Sequence, residues 1–323
     1  VVVGNNGNLQ GLSTLNATAT ATNVGDVTAA NDNATAVLGL TGKGIDQAGN
    51  AITIGGTGNV IGQSLLNGSG TAQTTNGDAN ASGGTVTSQG FNLGNASSDI
   101  TIGRSGSITG LAVVGTLGAN NTLSDQLDLT ATTTNGTAST DGIFTTAGIQ
   151  GSSGAEANLT AGPNGGNISG SALAGATLVS SAVGNTSTAT IGTSDINGIQ
   201  DVNLVGGQVG TNTISGLGVG QFNAAATSVN GAATGSSDVN VGGIISNSGT
   251  GTINTAGSVN AIARLSNTVT ASTVAGSASA VASSDAVGLK GYSVNIIGSG
   301  SLFAGGSVNS SSTATSVAGA ASA

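Results

Sequence analysis

Ile52–Gly62 reads ITIGGTGNVIG, and the same eleven-residue phrase returns as ITIGRSGSITG at Ile100–Gly110 and as VVVGNNGNLQG at Val1–Gly11. Each copy carries glycine at positions four, seven and eleven, with a branched residue or leucine at positions one, three and nine. Looser copies end at Asn167-Ile168-Ser169-Gly170, Thr213-Ile214-Ser215-Gly216, Ser258-Val259-Asn260-Ala261 and Ser301-Leu302-Phe303-Ala304. The small polar residue that opens each ending stands at 8, 59, 107, 167, 213, 258 and 301, so the steps are 51, 48, 60, 46, 45 and 43. Seven copies at a period of about 49 define a repeat protein. Such a unit buries its apolar side only by stacking on its neighbours.

Around the phrase, two-residue alternation dominates: Ala17-Thr18-Ala19-Thr20-Ala21-Thr22, Ile52-Thr53-Ile54, Thr188-Ala189-Thr190-Ile191. Alternation sends one set of side chains inward and the other to water, the signature of strands. Gly, Thr, Ser, Asn and Val are poor helix formers, and no stretch keeps a 3.6-residue period, so the chain is expected to be all-β. A second landmark follows the phrase after 14 or 15 residues in six copies: Gly11 to Gly25, Gly62 to Gly77, Gly170 to Gly184, Gly216 to Gly231, Ala261 to Gly276 and Ala304 to Gly319. The third copy needs 26, from Gly110 to Gly136, which places a surface loop around Ser124-Asp125-Gln126-Leu127-Asp128.

The expected fold is a single β-solenoid domain over 1–323, with units starting near 1, 52, 100, 157, 202, 244 and 294. Two coils of about 24 residues per unit would give roughly 14 coils and a rod of about 65 Å at the ~4.8 Å strand spacing. Ile52, Ile54, Ile100, Ile102, Ile168, Leu204, Ile214 and Ile296 should point inward and stack one unit apart. Gly55, Gly103 and Gly298 should turn corners, and a thin core would need few aromatics.

The pattern resembles the parallel β-helices of secreted bacterial surface proteins: fibrous adhesins, autotransporter passenger domains and matrix filaments. That resemblance implies an extracellular or cell-surface location and a structural or adhesive role. It implies no functional residue.

Composition narrows the chemistry. Only 5% of residues are charged and 2% aromatic, the net charge is −9, and the mean hydropathy is +0.23. Disorder normally pairs high net charge with low hydrophobicity, which is not the case here. Lys43, Arg104, Arg264 and Lys290 are the sole cationic side chains, too few for a nucleic-acid surface. No apolar run approaches the ~20 residues of a membrane helix. A chain that opens at Val1 and holds neither Met nor Cys fits a processed, secreted protein. With no His or Cys there is no base poised near neutrality and no thiolate nucleophile, and no enzyme is expected. Asp125 and Asp128 form the one close acidic pair. Gly55-Gly56-Thr57-Gly58 runs on to Asn59 and Val60, without the aspartate of a calcium-binding roll. Asp141, Asp195, Asp238 and Asp285 read as Asx turns at coil corners, and no metal or cofactor is expected. Phe91, Phe144, Phe222, Phe303 and Tyr292 read as core plugs or subunit contacts.

The function expected is therefore structural: a filament or surface fibre built by head-to-tail stacking of solenoid subunits. The partner is a further copy of the chain, with a cell-surface or matrix polysaccharide as a second candidate. The alternative is a monomeric or cell-anchored adhesin rod, including ice binding by Thr ladders such as Thr18, Thr20 and Thr22. Stacking is expected to use Val1, Val2 and Val3 at one end and Ser316, Val317, Ala320 and Ala323 at the other, since the final repeat stops short of the 22 residues Ala30–Ala51 that complete the first.

Overall fold

The computed structural model describes residues 1–24, 32–119 and 122–323, and among them there is no α-helix. Three parallel sheets account for nearly all the strands. Sheet 1 holds seven short strands: Val2–Val3, Ile52–Ile54, Ile100–Ile102, Ala157–Thr160, Val202–Val205, Gly251–Thr255 and Tyr292–Ile296. Sheet 2 holds long ones, Leu9–Asn23, Val60–Thr74, Gly166–Ala182, Thr213–Ser228, Ser258–Ala275 and Leu302–Ala318, with Gly106–Val114 and Leu127–Thr133 sharing the third layer. Sheet 3 runs from Ala34–Val37 and Leu40–Gln47 through Ala79–Leu93, Ala138–Gln150, Ser187–Gln200, Ala233–Ile245 and Ala278–Lys290 to Ala321–Ser322. The molecule is an all-β parallel solenoid in which one short and two long strands make one rung.

The ladders follow the sequence register. Leu9 pairs with Val60, Val60 with Ile108, Ile108 with Ile168, Ile168 with Ile214, Ile214 with Val259 and Val259 with Leu302. These are the six repeat steps read from the glycine phrase. They also correct the coil count: a strand's hydrogen-bonded neighbour lies a whole repeat away, so each repeat is one wide coil. Two coils per repeat would have placed partners about half a repeat apart. The seven rungs therefore span only about 30 Å at ~4.8 Å each. The sixth and seventh short strands begin at Gly251 and Tyr292, because Ile244–Ile245 still belongs to the preceding long strand.

The wide coil stays thin because sheets 2 and 3 lie face to face. At one end they splay, and sheet 1 closes a triangular prism filled by Ile52, Ile54, Val60, Phe91, Leu93 and their equivalents on each rung. At the other end they approach, and the filling is alanine-rich: Ala72, Ala79, Ala81, Ala131, Ala138, Ala176 and Ala189, with Leu66, Leu129 and Phe144 where space allows. Phe144 and Phe222 pack with ring centroids 5.4 Å apart. Of the eight residues expected inward, seven are fully buried; Ile296, on the last rung, is half-buried.

A glycine seam divides the two cores. A Cβ on Gly62 would lie 2.2 Å from the Gly90 carbonyl oxygen; on Gly110, 2.1 Å from that of Gly148; on Gly170, 2.2 Å from Gly198; and on Gly216, 2.3 Å from Gly243. The position-eleven glycine is thus a mid-strand residue at which the two sheets touch backbone to backbone. A buried pair sits beside it, where Ser88 Oγ donates to Ser64 Oγ at 2.9 Å. Of the expected corner glycines, Gly298 has φ +97°, Gly103 would place a Cβ 2.5 Å from the Gly55 carbonyl oxygen, and Gly55 itself has room. In the turn from sheet 2 to sheet 3 the landmark glycine Gly136 stacks on Gly77, and Gly276 and Gly319 stack on Gly231. Gly25, and Ala30 at the start of the Ala30–Ala51 block, lie outside the described residues.

At the corners Asn and Asp bridge rungs. Asn8 Oδ1 accepts from Asn59 N at 2.9 Å, Asn59 Oδ1 from Ser107 N at 3.0 Å, and Asp78 Oδ1 from Thr137 N at 2.8 Å. The backbone ladder breaks where the chain turns, and these side chains satisfy the donors it leaves. The four aspartates expected there lie instead within sheet 3 strands. Asp141 accepts from Ser82 Oγ and Asp238 from Thr193 Oγ1, both at 2.8 Å, and Asp195 from Asn240 Nδ2 at 3.2 Å, all across rungs. The insertion loops out of sheet 2 as a hairpin pairing Thr116–Leu117 with Leu123–Asp125, and the strand resumes at Leu127.

If the seam is closed by backbone contact, Gly110→Ala and Gly148→Ala should each destabilise by about 1–3 kcal/mol through overpacking. Gly39→Ala, where nothing lies within 4 Å of the new methyl, should be near neutral. Urea unfolding of the three variants checks this; equal midpoints would remove the seam from the account.

Candidate assembly interface

Among the described residues, the first and last rungs each leave one edge of the same sheets unpaired. On the first rung, Val2 pairs with Thr53 and Val3 with Ile54 in sheet 1, leaving Val1 60% and Val2 84% exposed. Leu9–Asn23 forms the sheet 2 edge over 15 residues. On the last rung, Tyr292–Ile296 edges sheet 1 and Leu302–Ala318 edges sheet 2 over 17 residues. In sheet 3 Ala321–Ser322 pairs with Ala278–Ser279, and among the described residues Ala280–Lys290 is paired on one side only.

The residues named from sequence fall on both edges but not opposite one another. Val1–Val3 belong to sheet 1, whereas Ser316 and Val317 belong to sheet 2 and Ala320–Ala323 to the turn and the start of sheet 3. Following the ladders rung by rung, Val2 corresponds to Asn295 and Val3 to Ile296. The head-to-tail contact drawn from sequence, Val1–Val3 against Ser316–Ala323, therefore does not preserve register. Register instead sets Leu9 against Leu302, Leu15 against Val308, Thr20 against Thr313, Ala21 against Ala314 and Thr22 against Thr315. These positions follow from continuing the repeat register to its last copy.

Neither edge of sheet 2 is protected in the usual ways. Leu9–Asn23 and Leu302–Ala318 contain no charged residue and no proline. Long, flat, uncharged edges are templates for pairing with another chain. Leu12, Leu302, Phe303 and Val308 add exposed apolar surface, Phe303 at 59%. The Thr columns between the edges are irregular: Thr20, Thr71 and Thr130 align, then Val179 and Ala225 interrupt before Thr270 and Thr313.

One corner of the prism is buttressed across two rungs. Tyr292 Oη donates to the Val202 carbonyl at 2.8 Å, its ring passing over Gly251, where any Cβ would lie 2.6 Å from the ring. Glu156 spans the same distance, accepting from Ser248 Oγ and, at 2.9 Å, from Thr250 Oγ1. Those bonds, the one from Ser248 foremost, hold the Glu156 carboxyl below its usual range. Burial pushes the Tyr292 phenol well above its usual range, and the nearby Asp201 and Glu156 add to the effect.

No model of a known protein family matches this chain, no curated protein matches it, and no solved structure matches it.

The Tyr292 phenol sets an alkaline limit. Its folded-state pKa is raised, so its contribution is whole below the ordinary tyrosine value of about 10 and is lost as pH climbs past it. Tyr292→Phe should cost about 1 kcal/mol at pH 7, for the lost hydrogen bond, and lose less stability between pH 7 and pH 11 than the native chain. Urea unfolding at both values tests it; identical losses would show that the buried phenol does not titrate with unfolding.

Proposed function

We propose that the protein is a structural element, a solenoid that stacks head to tail through its open edges into an extracellular filament or surface fibre. The observation that carries this reading is the pair of long, uncharged, proline-free edges of sheet 2, matched in register at opposite ends of the rod. Joined so, leucine meets leucine and Thr-Ala-Thr meets Thr-Ala-Thr, which continues the columns running through the interior. The contact is heterologous, so each added copy presents the same free edge again and growth does not close. The junction involves almost no charge, so ionic strength should hardly affect it.

The second reading, a rod that works singly as an adhesin, rests on the grooves of its outer faces. Its ice-binding form has less support, since Val179 and Ala225 interrupt the Thr column.

The test exploits which backbone groups face outward. Leu9 N donates inward to Asn59 O, so in Leu9–Asn23 the even-numbered residues direct their N–H and C=O away from the rod. Val259 N likewise donates to Ser301 O, which leaves even-numbered residues outward in the last long strand. Thr18→Pro and Ser312→Pro should each keep a folded, monomer-sized rod while shortening fibres at least about tenfold, because proline removes one outward donor and obstructs the edge. Negative-stain microscopy and sedimentation decide it. A native chain that stays monomeric at high concentration, or proline variants that polymerise normally, would overturn the filament and leave the single rod.

A further inference from the structure

Beside the glycine seam the strands of sheet 3 lose their alternation. Ser88–Phe91, Thr146–Ile149, Ile196–Ile199 and Val241–Ile245 are buried at every position. Gln89, Asn197 and Gly242, next to the seam glycines, line the floor of a furrow on the outer face. Two adjoining hollows of about 380 and 270 Å³ lie along it and share Asp195 and Gln200. Together they run across the five rungs from Gln89 to Lys290, about 19 Å at ~4.8 Å per rung.

The lining is unusual for this chain. Carboxamides crowd it, with Asn92, Gln150 and Asn240 on the walls beside the Gln89 and Asn197 floor. Gln89 is only 8% exposed, yet among the described residues its amide makes no hydrogen bond. A side chain so buried is expected to be satisfied, and its free polar atoms face the hollow. Asn197, also 8% exposed, donates to Gln200 Oε1 at 2.8 Å, and its own carbonyl oxygen accepts nothing. Ile245 and Val287 give the far end an apolar patch.

We infer that this furrow binds an extended, neutral polysaccharide chain lying along the rod. Gln89 offers a donor and an acceptor, and Asn92, Gln150, Asn197 and Asn240, each donating one N–H within the chain, keep a second N–H and the amide oxygen, the pairing that vicinal hydroxyls need. The rung spacing is close to the length that one pyranose adds to an extended chain, so equivalent side chains on successive rungs can meet successive sugars. A peptide is disfavoured, since the backbone under the furrow is already paired on both sides and strand addition needs a free edge. A polyanion is disfavoured too, because Asp195 and Asp285 outnumber Lys290 along the furrow. The inference stands apart from the filament: the furrow is complete within one chain.

Affinity electrophoresis of the whole chain tests it, in native gels cast with mixed-linkage β-glucan, galactomannan, dextran or alginate. At least one neutral polymer should retard the native chain, and alginate should not. The double variant Gln89→Ala, Gln200→Ala should weaken that retardation about tenfold, as expected for two lost neutral hydrogen bonds. Asn240→Trp, which fills the furrow from its wall, should abolish it, and Thr188→Ala, outside the furrow, should leave it unchanged. Unfolding midpoints within error of the native chain show which variants remain folded, and Asn240→Trp decides alone if the double variant does not. No retardation by any neutral polymer, retardation by alginate as strong as by the others, or retardation that survives the furrow variants would each overturn the inference.

Discussion

The structure depends on one contact: the backbone of sheet 2 against the backbone of sheet 3 at the glycine seam. Gly62 and Gly90, with their counterparts above and below, let two long strands of one rung touch where any side chain would hold them apart. On one side of the touch the sheets open into the prism that isoleucine fills; on the other they run close enough for alanine to fill the gap. A coil of this width would otherwise need a broad interior and many large side chains. The seam makes it two narrow cores, which is how a chain with 2% aromatic residues packs completely. Stacking then repeats the contact, and each rung's glycines are covered by those of the next.

The seam also tolerates some relaxation. Ala261 occupies the sheet 2 column opposite Gly288, and Ala304 continues that column on the last rung. Sheet 3 keeps glycine in every one of these copies, consistent with its strands being the ones that yield inward and leave the furrow outside.

Much of this was legible in the sequence, and the illegible part has a definite cause. The spacing of the phrase gave every register step, including the long third one, because equivalent residues must stack to bury their branched side chains. Ile52, Ile100, Ile168 and Ile214 were readable as core for the same reason. The coil width was not readable, since a period fixes how far apart equivalent residues lie and not how often the chain turns between them. The position-eleven glycine carried the answer, but glycine marks turns as readily as close approaches, and the phrase by itself does not separate the two. A second glycine column at Gly44, Gly90, Gly148, Gly198, Gly243 and Gly288, recurring in step with the first, was the signal that separates the two meanings. Asp141 and Asp195 were placed at corners because a carboxylate next to Ser or Thr suggests a local turn. A parallel ladder supplies a partner that no local pattern shows, the side chain one rung away.

That same logic explains why so polar a chain forms so regular a stack. Parallel registration puts each Asn, Ser or Thr above an equivalent residue, so a side chain that would compete with the backbone in a helix finds its partner across the rung. Asn8 to Asn59 to Ser107 is one such chain, and Ser215 to Ser169, at 3.1 Å between hydroxyl oxygens, is another. The side-chain oxygen of Asn8, Asn59 and Asp78 points toward the following rung, where it takes the backbone N–H that the turn leaves unpaired. The corner bonds therefore have a direction, as the strands do. A stack built this way has a direction, because the corner oxygens of one rung serve the rung that follows. For the stacking proposed above, only head-to-tail order continues the parallel ladders from copy to copy.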